Sequence, residues 1–190
     1  MLFLRIEKMP KQHTIQTDRT QLRYINTNDI ESIHELHSIP EVAQYNTLAL
    51  PKSKEDTHVI LAPLLLALQE TPIVKYTFAI ESLDSNMFMG LFGINVGNSK
   101  YCRADIWYKL HPKHWNQGFA TEIVKEVLDF CFKTLQLHRI EAGCATANLG
   151  SIKVLEKSGF TREGHCRKIL PLASGWSDNY QYAILESDPR

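Results

Sequence analysis

Gly118 is the residue around which chemistry can be built. It lies in the run His114-Trp115-Asn116-Gln117-Gly118-Phe119-Ala120-Thr121. Ahead of that run, residues 104–110 are rich in β-branched and aromatic types and predict a strand. After it, Phe119, Ala120, Ile123, Val124, Val127, Leu128, Cys131 and Leu135 recur at helical spacing, with Glu122, Lys125, Glu126, Asp129 and Lys133 on the other face. A strand therefore feeds a one-glycine turn that opens a helix. The first amides of a helix have no partner inside it and sit at the positive end of its dipole. Gly118 has no side chain, and Ala120 only a methyl group, to keep an anion away, so the spacing fits a cradle for phosphate oxygens. It fits equally a plain strand–turn–helix whose glycine serves the turn alone. Two phosphate sites are excluded, because neither G-x-x-x-x-G-K-[ST] nor a helix-opening G-x-G-x-x-G is present.

Other reactive side chains carry less. His34 and His37 share a helical face at i, i+3, but without an H-E-x-x-H spacing or carboxylate partners they read as packing or surface residues rather than metal ligands. Cys144 with His138 or His165 has no spacing that marks a nucleophile and base. His111 and His114 flank the glycine turn and read as surface residues. Trp107, Tyr108, Met89 and Trp176 read as core or as pocket lining. Asn148, ahead of an apolar-periodic stretch, reads on its own as a helix cap.

Two strings together carry a family resemblance. The first, Trp115-Asn116-Gln117-Gly118-Phe119-Ala120 within H-P-x-x-W-x-Q-G-F-A-T-E, resembles the acyl-CoA loop R/Q-x-x-G-x-G/A of the GNAT acetyltransferase superfamily. The second, N-x-x-S-x-x-x-L-E-K-x-G-F from Asn148 to Phe160, resembles the family's later helix. The likeness runs from about residue 14 to 188 and is nearest to the branch of ribosomal-protein N-terminal (alanine/serine) acetyltransferases. It implies transfer of an acetyl group from acetyl-CoA to a primary amine, by direct attack on the thioester and without a metal. It also implies that Tyr108, Leu110, Trp115, Asn116, Gln117, Gly118, Phe119, Ala120, Thr121, Asn148 and Ser151 hold the CoA. Asp105 is implied as proton acceptor and Ser151 as donor to the departing sulfur.

Such a reaction needs a proton acceptor for the amine, donors for the oxyanion and a donor for the thiolate. The chain departs from the family at these places. Asp105 stands where relatives carry Glu, and being one methylene shorter it points to a water relay. Leu155 stands where many members carry a Tyr, which leaves Ser151 as the sulfur's donor. Trp115 replaces an Arg or Gln. A protein N-terminus suits a modest base: an α-amine titrating at about 8 is roughly a tenth neutral at pH 7, a lysine at about 10.4 under about a thousandth. The alternatives are a small-molecule amine (amino acid, polyamine or antibiotic) and a non-catalytic CoA-binding sensor.

The elements that must position these residues follow from pattern. Residues 14–25 predict a first strand, and Asn28 or Asp29 a cap for a helix over 30–37. A helical turn over 40–45 and a helix over 53–69, capped by Ser53 and carrying Pro63, come next. Strands are predicted over 75–82, 87–96 and 103–110, with Gly90 and Gly93 marking a bulge or a close approach. A strand over 139–145 should lie parallel to 103–110, because a helix joins them. A helix over 148–158 ends at Gly159, and strands over 163–170 and 178–185 make a last hairpin. The fold class is α/β in the mixed-sheet sense: antiparallel strands, then a β-α-β crossover and a C-terminal hairpin. Residues 1–13 are expected as an N-terminal arm and 14–188 as one acetyltransferase domain.

Composition agrees with an ordinary globule. Of 190 residues, 44% are apolar, and Lys plus Arg balance Asp plus Glu at 21 each, so charge predicts neither a nucleic-acid nor a membrane partner. Four cysteines without C-x-x-C, and no signal peptide, point to reduced thiols in a cytoplasmic protein. The assembly is expected to be a monomer or a homodimer.

Overall fold

The strongest strand signals pair antiparallel to make one half of a mixed sheet in the computed structural model, which describes residues 13–189. These strands are β1 (Ile15–Gln16), β2 (Thr20–Tyr24), β3 (Lys75–Ser82), β4 (Phe88–Val96) and β5 (Arg103–Leu110). The other half is β6 (Arg139–Ala145), β7 (Thr161–Leu172) and β8 (Gly175–Leu185), in the sheet order β1-β2-β3-β4-β5-β6-β8-β7. β5 and β6 are parallel and every other pair is antiparallel. The predicted arm over 1–13 lies outside the described residues except for His13, whose ring centroid packs 4.7 Å from that of Phe130.

The helices are α1 (Ile30–His37), α2 (Pro40–Ala43), α3 (Lys54–Ala67), α4 (Phe119–Asp129) and α5 (Leu149–Lys157). α4 runs on into a π-helical turn, Phe130–Thr134, so the predicted long helix is present with a change of winding. It buries Ile123, Val124, Val127 and Leu128 in the same core as Phe92, Ile94, Ala104 and Ile106. α1 and α3 join a second cluster, in which Ile33, Leu36 and Leu61 meet Ala79 and Leu91. Alternation along β4 explains the division, since Leu91 serves one cluster and Phe92 the other. The close approach predicted in β4 is real: a Cβ on Gly93 would lie 2.0 Å from the Trp107 indole of β5.

Three boundaries differ from pattern. The predicted first strand is two short ones, broken where the Thr17 amide donates to Thr20 O at 2.8 Å and turns the chain. Asp29 takes the capping position of α1, as expected, but makes no side-chain cap bond there; a 3-10 turn, Thr27–Asp29, precedes it, with Asn26 accepting from the Asn28 amide and Asp29 from the Asn26 amide at 2.8 Å. Asp29 is drawn there by Arg23, whose Nη2 lies 2.7 Å from Asp29 and 2.6 Å from Glu81. Both carboxylates are largely buried, so one guanidinium neutralises a pair that would otherwise repel. The last hairpin is longer than predicted and pairs its second strand, β8, with β6. Among the described residues no helix is long and apolar enough to cross a membrane, and no cluster of three or more His, Cys, Asp or Glu could hold a metal.

Candidate active site

β5 and β6 hydrogen-bond only where Arg103, Ala104 and Asp105 face Arg139, Ile140 and Glu141. Past that point β5 stays with β4 as far as Leu110 opposite Gly90, and β6 stays with β8 as far as Ala145 opposite Asn179. The two parallel strands therefore part. A cleft of about 1150 Å³ opens along them, lined by Ile106 to Leu110 on one side and Ala142 to Ala145 on the other. Its further walls are the start of α4, the start of α5, and residues of α1 to α3.

At the start of α4, Asn116 (φ 59°) and Gly118 (φ 85°) both have left-handed backbone, which glycine adopts freely and other residues adopt at a cost. Gly118 occupies the capping position but has no side chain with which to cap. Among the described residues, the amides of residues 116–121 donate to no protein acceptor. Side chains hold the loop instead. Trp115 Nε1 donates to Leu110 O at 2.7 Å and Gln117 Nε2 to Lys113 O at 2.7 Å. Arg19, just ahead of β2, braces it: Nη1 donates to Gln117 O at 3.2 Å, Nε donates to Glu122 at 2.7 Å, and the guanidinium lies 4.1 Å over the Phe119 ring. Burial pushes the Glu122 carboxyl up, but hydrogen bonds from Thr17 and Arg19 outweigh it and the group titrates below its ordinary value.

Across the cleft, Asn148 Oδ1 accepts from the Ser151 amide at 3.1 Å, which caps α5 and fixes Ser151 in its first turn. Ser151 Oγ lies 3.0 Å from the Tyr108 hydroxyl. Burial raises the Tyr108 phenol well above its ordinary value and pushes Cys144 up to about 11, so both keep their protons at neutral pH. The buried Leu155, as its type requires, serves the core.

The remaining wall carries His37 from α1 and Lys109 from β5. Lys109 Nζ lies 3.4 Å from His37 Nε2 and 5.9 Å from the Trp107 ring centroid. Burial lowers Lys109 to about 8. His37 falls to about 4 through burial first, then the charges of Lys109 and His34. His37 Nδ1 is buried without a hydrogen-bond partner. Both residues escaped the sequence analysis as site residues. The available signal was alternation, which places Lys109 on the face of β5 shared by Asp105 and Trp107.

Of the residues the sequence singled out, Tyr108, Leu110, Trp115, Asn116, Gly118, Phe119, Ala120, Thr121, Asn148 and Ser151 all line the cleft. Gln117 does not, and contributes its backbone to the Arg19 brace. Asp105 is also outside the lining: it is exposed, and its Oδ2 accepts from Asn95 Nδ2 at 2.8 Å on the neighbouring strand. It sits on the last pair that still joins β5 to β6, one residue before the strands part.

Known proteins share this fold. The model of the acetyltransferase (GNAT) domain matches residues 19–161. The uncharacterized N-acetyltransferase YoaA of Bacillus subtilis is 32% identical over 172 residues, covering 90% of this chain and 96% of its own. Two solved structures below 25% identity share the fold. One is the ribosomal-protein-S5-alanine acetyltransferase of Vibrio fischeri, with TM-score 0.81 and 20% identity over 94% of this chain and 99% of that one. The other is the spermidine N-acetyltransferase of Vibrio cholerae in complex with CoA and spermine, with TM-score 0.77 and 23% identity over 88% of this chain and 96% of that one. With a family match over most of its length and a cleft at the place where two parallel strands part, this chain belongs to the GNAT acetyltransferase family and is an N-acetyltransferase.

Proposed function

We propose that the cleft passes an acetyl group from acetyl-CoA directly to a primary amine, with the loop at Gly118 holding the diphosphate and the Tyr108–Ser151 pair facing the sulfur. The observation that carries this reading is the set of amides over residues 116–121, which have no protein acceptor among the described residues, in a loop whose Asn116, Gly118, Phe119, Ala120 and Thr121 line the cleft. Amides at a helix start suit phosphate oxygens by charge and direction. Gly118, Asn116 and Thr121 would hold the diphosphate, and Asn148 would orient Ser151 beside the thioester. CoA supplies an activated acyl group with a thiolate leaving group; the rest falls to the protein.

Ser151 Oγ donates to the departing thiolate, and Tyr108 supports it as a phenol that stays protonated through neutral pH. This pair stands in for the tyrosine that many family members carry where this chain has Leu155. Asp105 can take the amine's proton only through water, because its carboxylate lies outside the cleft lining. That arrangement suits an amine that is already partly neutral at pH 7, such as an α-amine. A protein N-terminus meets the condition best, and a ribosomal-protein-S5-alanine acetyltransferase shares the fold; the amines of a small molecule, such as those named for the spermidine N-acetyltransferase of the same fold, are less neutral and lean more on the base. A thiol-release assay with acetyl-CoA and a panel of α-amines, lysine side chains and polyamines tests the reading. Turnover is expected with α-amines first; silence across the panel would end it.

A further inference from the structure

We propose that the acceptor is an amine carrying a carboxylate, and that Lys109, steadied by His37, is the group that binds that carboxylate. The inference rests on the acetyl-transfer reading above and names the acceptor's chemistry. Lys109 lies in the wall of the cleft, its ammonium 3.4 Å from the His37 imidazole nitrogen and 5.9 Å from the Trp107 indole centroid. Among the described residues it makes no ion pair. A partly buried cation without a counter-ion is costly, and a carboxylate brought in by the acceptor would relieve it.

The surroundings fit the rest of such a molecule. Val42, Leu48, Leu64 and Trp107 give the same wall apolar surface for a side chain. Glu41, exposed and also lining the cleft, is an acidic group of the sign that draws an ammonium inward. A polycation gains nothing from Lys109 and is repelled by it. The carboxylate has two sources, a free α-amino acid or an acidic residue beside a peptide's N-terminus, and the experiment separates them.

Initial rates would be compared within matched pairs: L-leucine against isoamylamine, which is leucine without its carboxylate, and an N-terminal Ala-Asp peptide against its Ala-Asn counterpart. Spermidine serves as the polycation. A charge-assisted contact predicts that the acid of at least one pair exceeds its neutral twin in kcat/KM by about 10-fold or more. The favoured pair identifies the source. Lys109→Met should erase that preference while acetyl-CoA binding and thermal melting stay near wild type, and Lys109→Arg should restore part of it.

A readout independent of turnover keeps this apart from the acetyl-transfer reading. Binding of the non-reactive acids isocaproate and acetylated Ala-Asp peptide would be followed by NMR of the lysine side chains. A shift of the Lys109 signal that is lost in Lys109→Met supports the carboxylate site even if no amine turns over. Equal use of acid and neutral twins, a preference that survives Lys109→Met, or no Lys109 response to either acid would each overturn it.

Discussion

The Tyr108 hydroxyl of β5 meets the Ser151 hydroxyl of α5 at 3.0 Å, across the gap left where β5 and β6 part. The contact joins residues 43 positions apart. In the proposed mechanism it bridges β5 to the side of the cleft where the sulfur is expected.

Removing either hydroxyl should slow thiolate departure more than it weakens binding. Ser151→Ala is expected to lower kcat by about 10- to 100-fold with a smaller change in the KM for acetyl-CoA, because the lost bond acts mostly in the transition state. Tyr108→Phe should give a smaller loss, and the double variant should fall short of the product of the two, because the groups act together. Steady-state kinetics on the four proteins checks this; fully multiplicative losses would separate the residues.

Gly118→Glu should abolish acetyl-CoA binding, since it puts a negative side chain where diphosphate is expected. Left-handed backbone at this position also costs a side chain about 1–2 kcal/mol, so Gly118→Ala is the control. It should lower the melting temperature by a few degrees yet retain part of the binding. Calorimetric titration with acetyl-CoA distinguishes them, and unchanged binding by the glutamate variant would remove the loop from the site.

Asp105 has a narrower role to prove. Because it acts through water, Asp105→Asn should reduce kcat by about 10-fold, less than the roughly 100-fold or more usual for direct general-base catalysis, and flatten the acidic limb of the pH–rate profile. A profile identical to wild type would leave the proton to bulk solvent.

His37 makes stability depend on pH. Its folded value, about 4, lies below its ordinary 6.5. The unfolded chain therefore binds the extra proton first as pH falls, and stability drops between about pH 6.5 and 4. The full penalty, reached below the folded value, is about 3 kcal/mol at most. Urea unfolding across that window should show the drop, and His37→Leu should flatten it. A slope of opposite sign would mean that His37 is protonated in the fold.

What the sequence determined by itself was local. Bounds of β3, β5 and β6, the caps Ser53 and Asn148, the left-handed Gly159 and the loop at Gly118 all follow from alternation, helical spacing and capping chemistry. Those signals act over a few residues and need no knowledge of the rest of the chain. The departures near Thr17 and Asn26 arose where long-range partners took over: Glu122 accepts from Thr17, and Arg23, which also binds Glu81 across the sheet, holds Asp29. Only tertiary structure decided how far β5 and β6 stay paired, and hence that Asp105 falls just outside the cleft while Lys109 falls within it. The two share one face of one strand, so period-two patterning cannot tell them apart; helix α1 does, by setting His37 against Lys109. Likewise, a hydroxyl on β5 could serve in place of the missing helical tyrosine only because the sheet opens beside Ser151, a consequence of packing between segments distant in the chain.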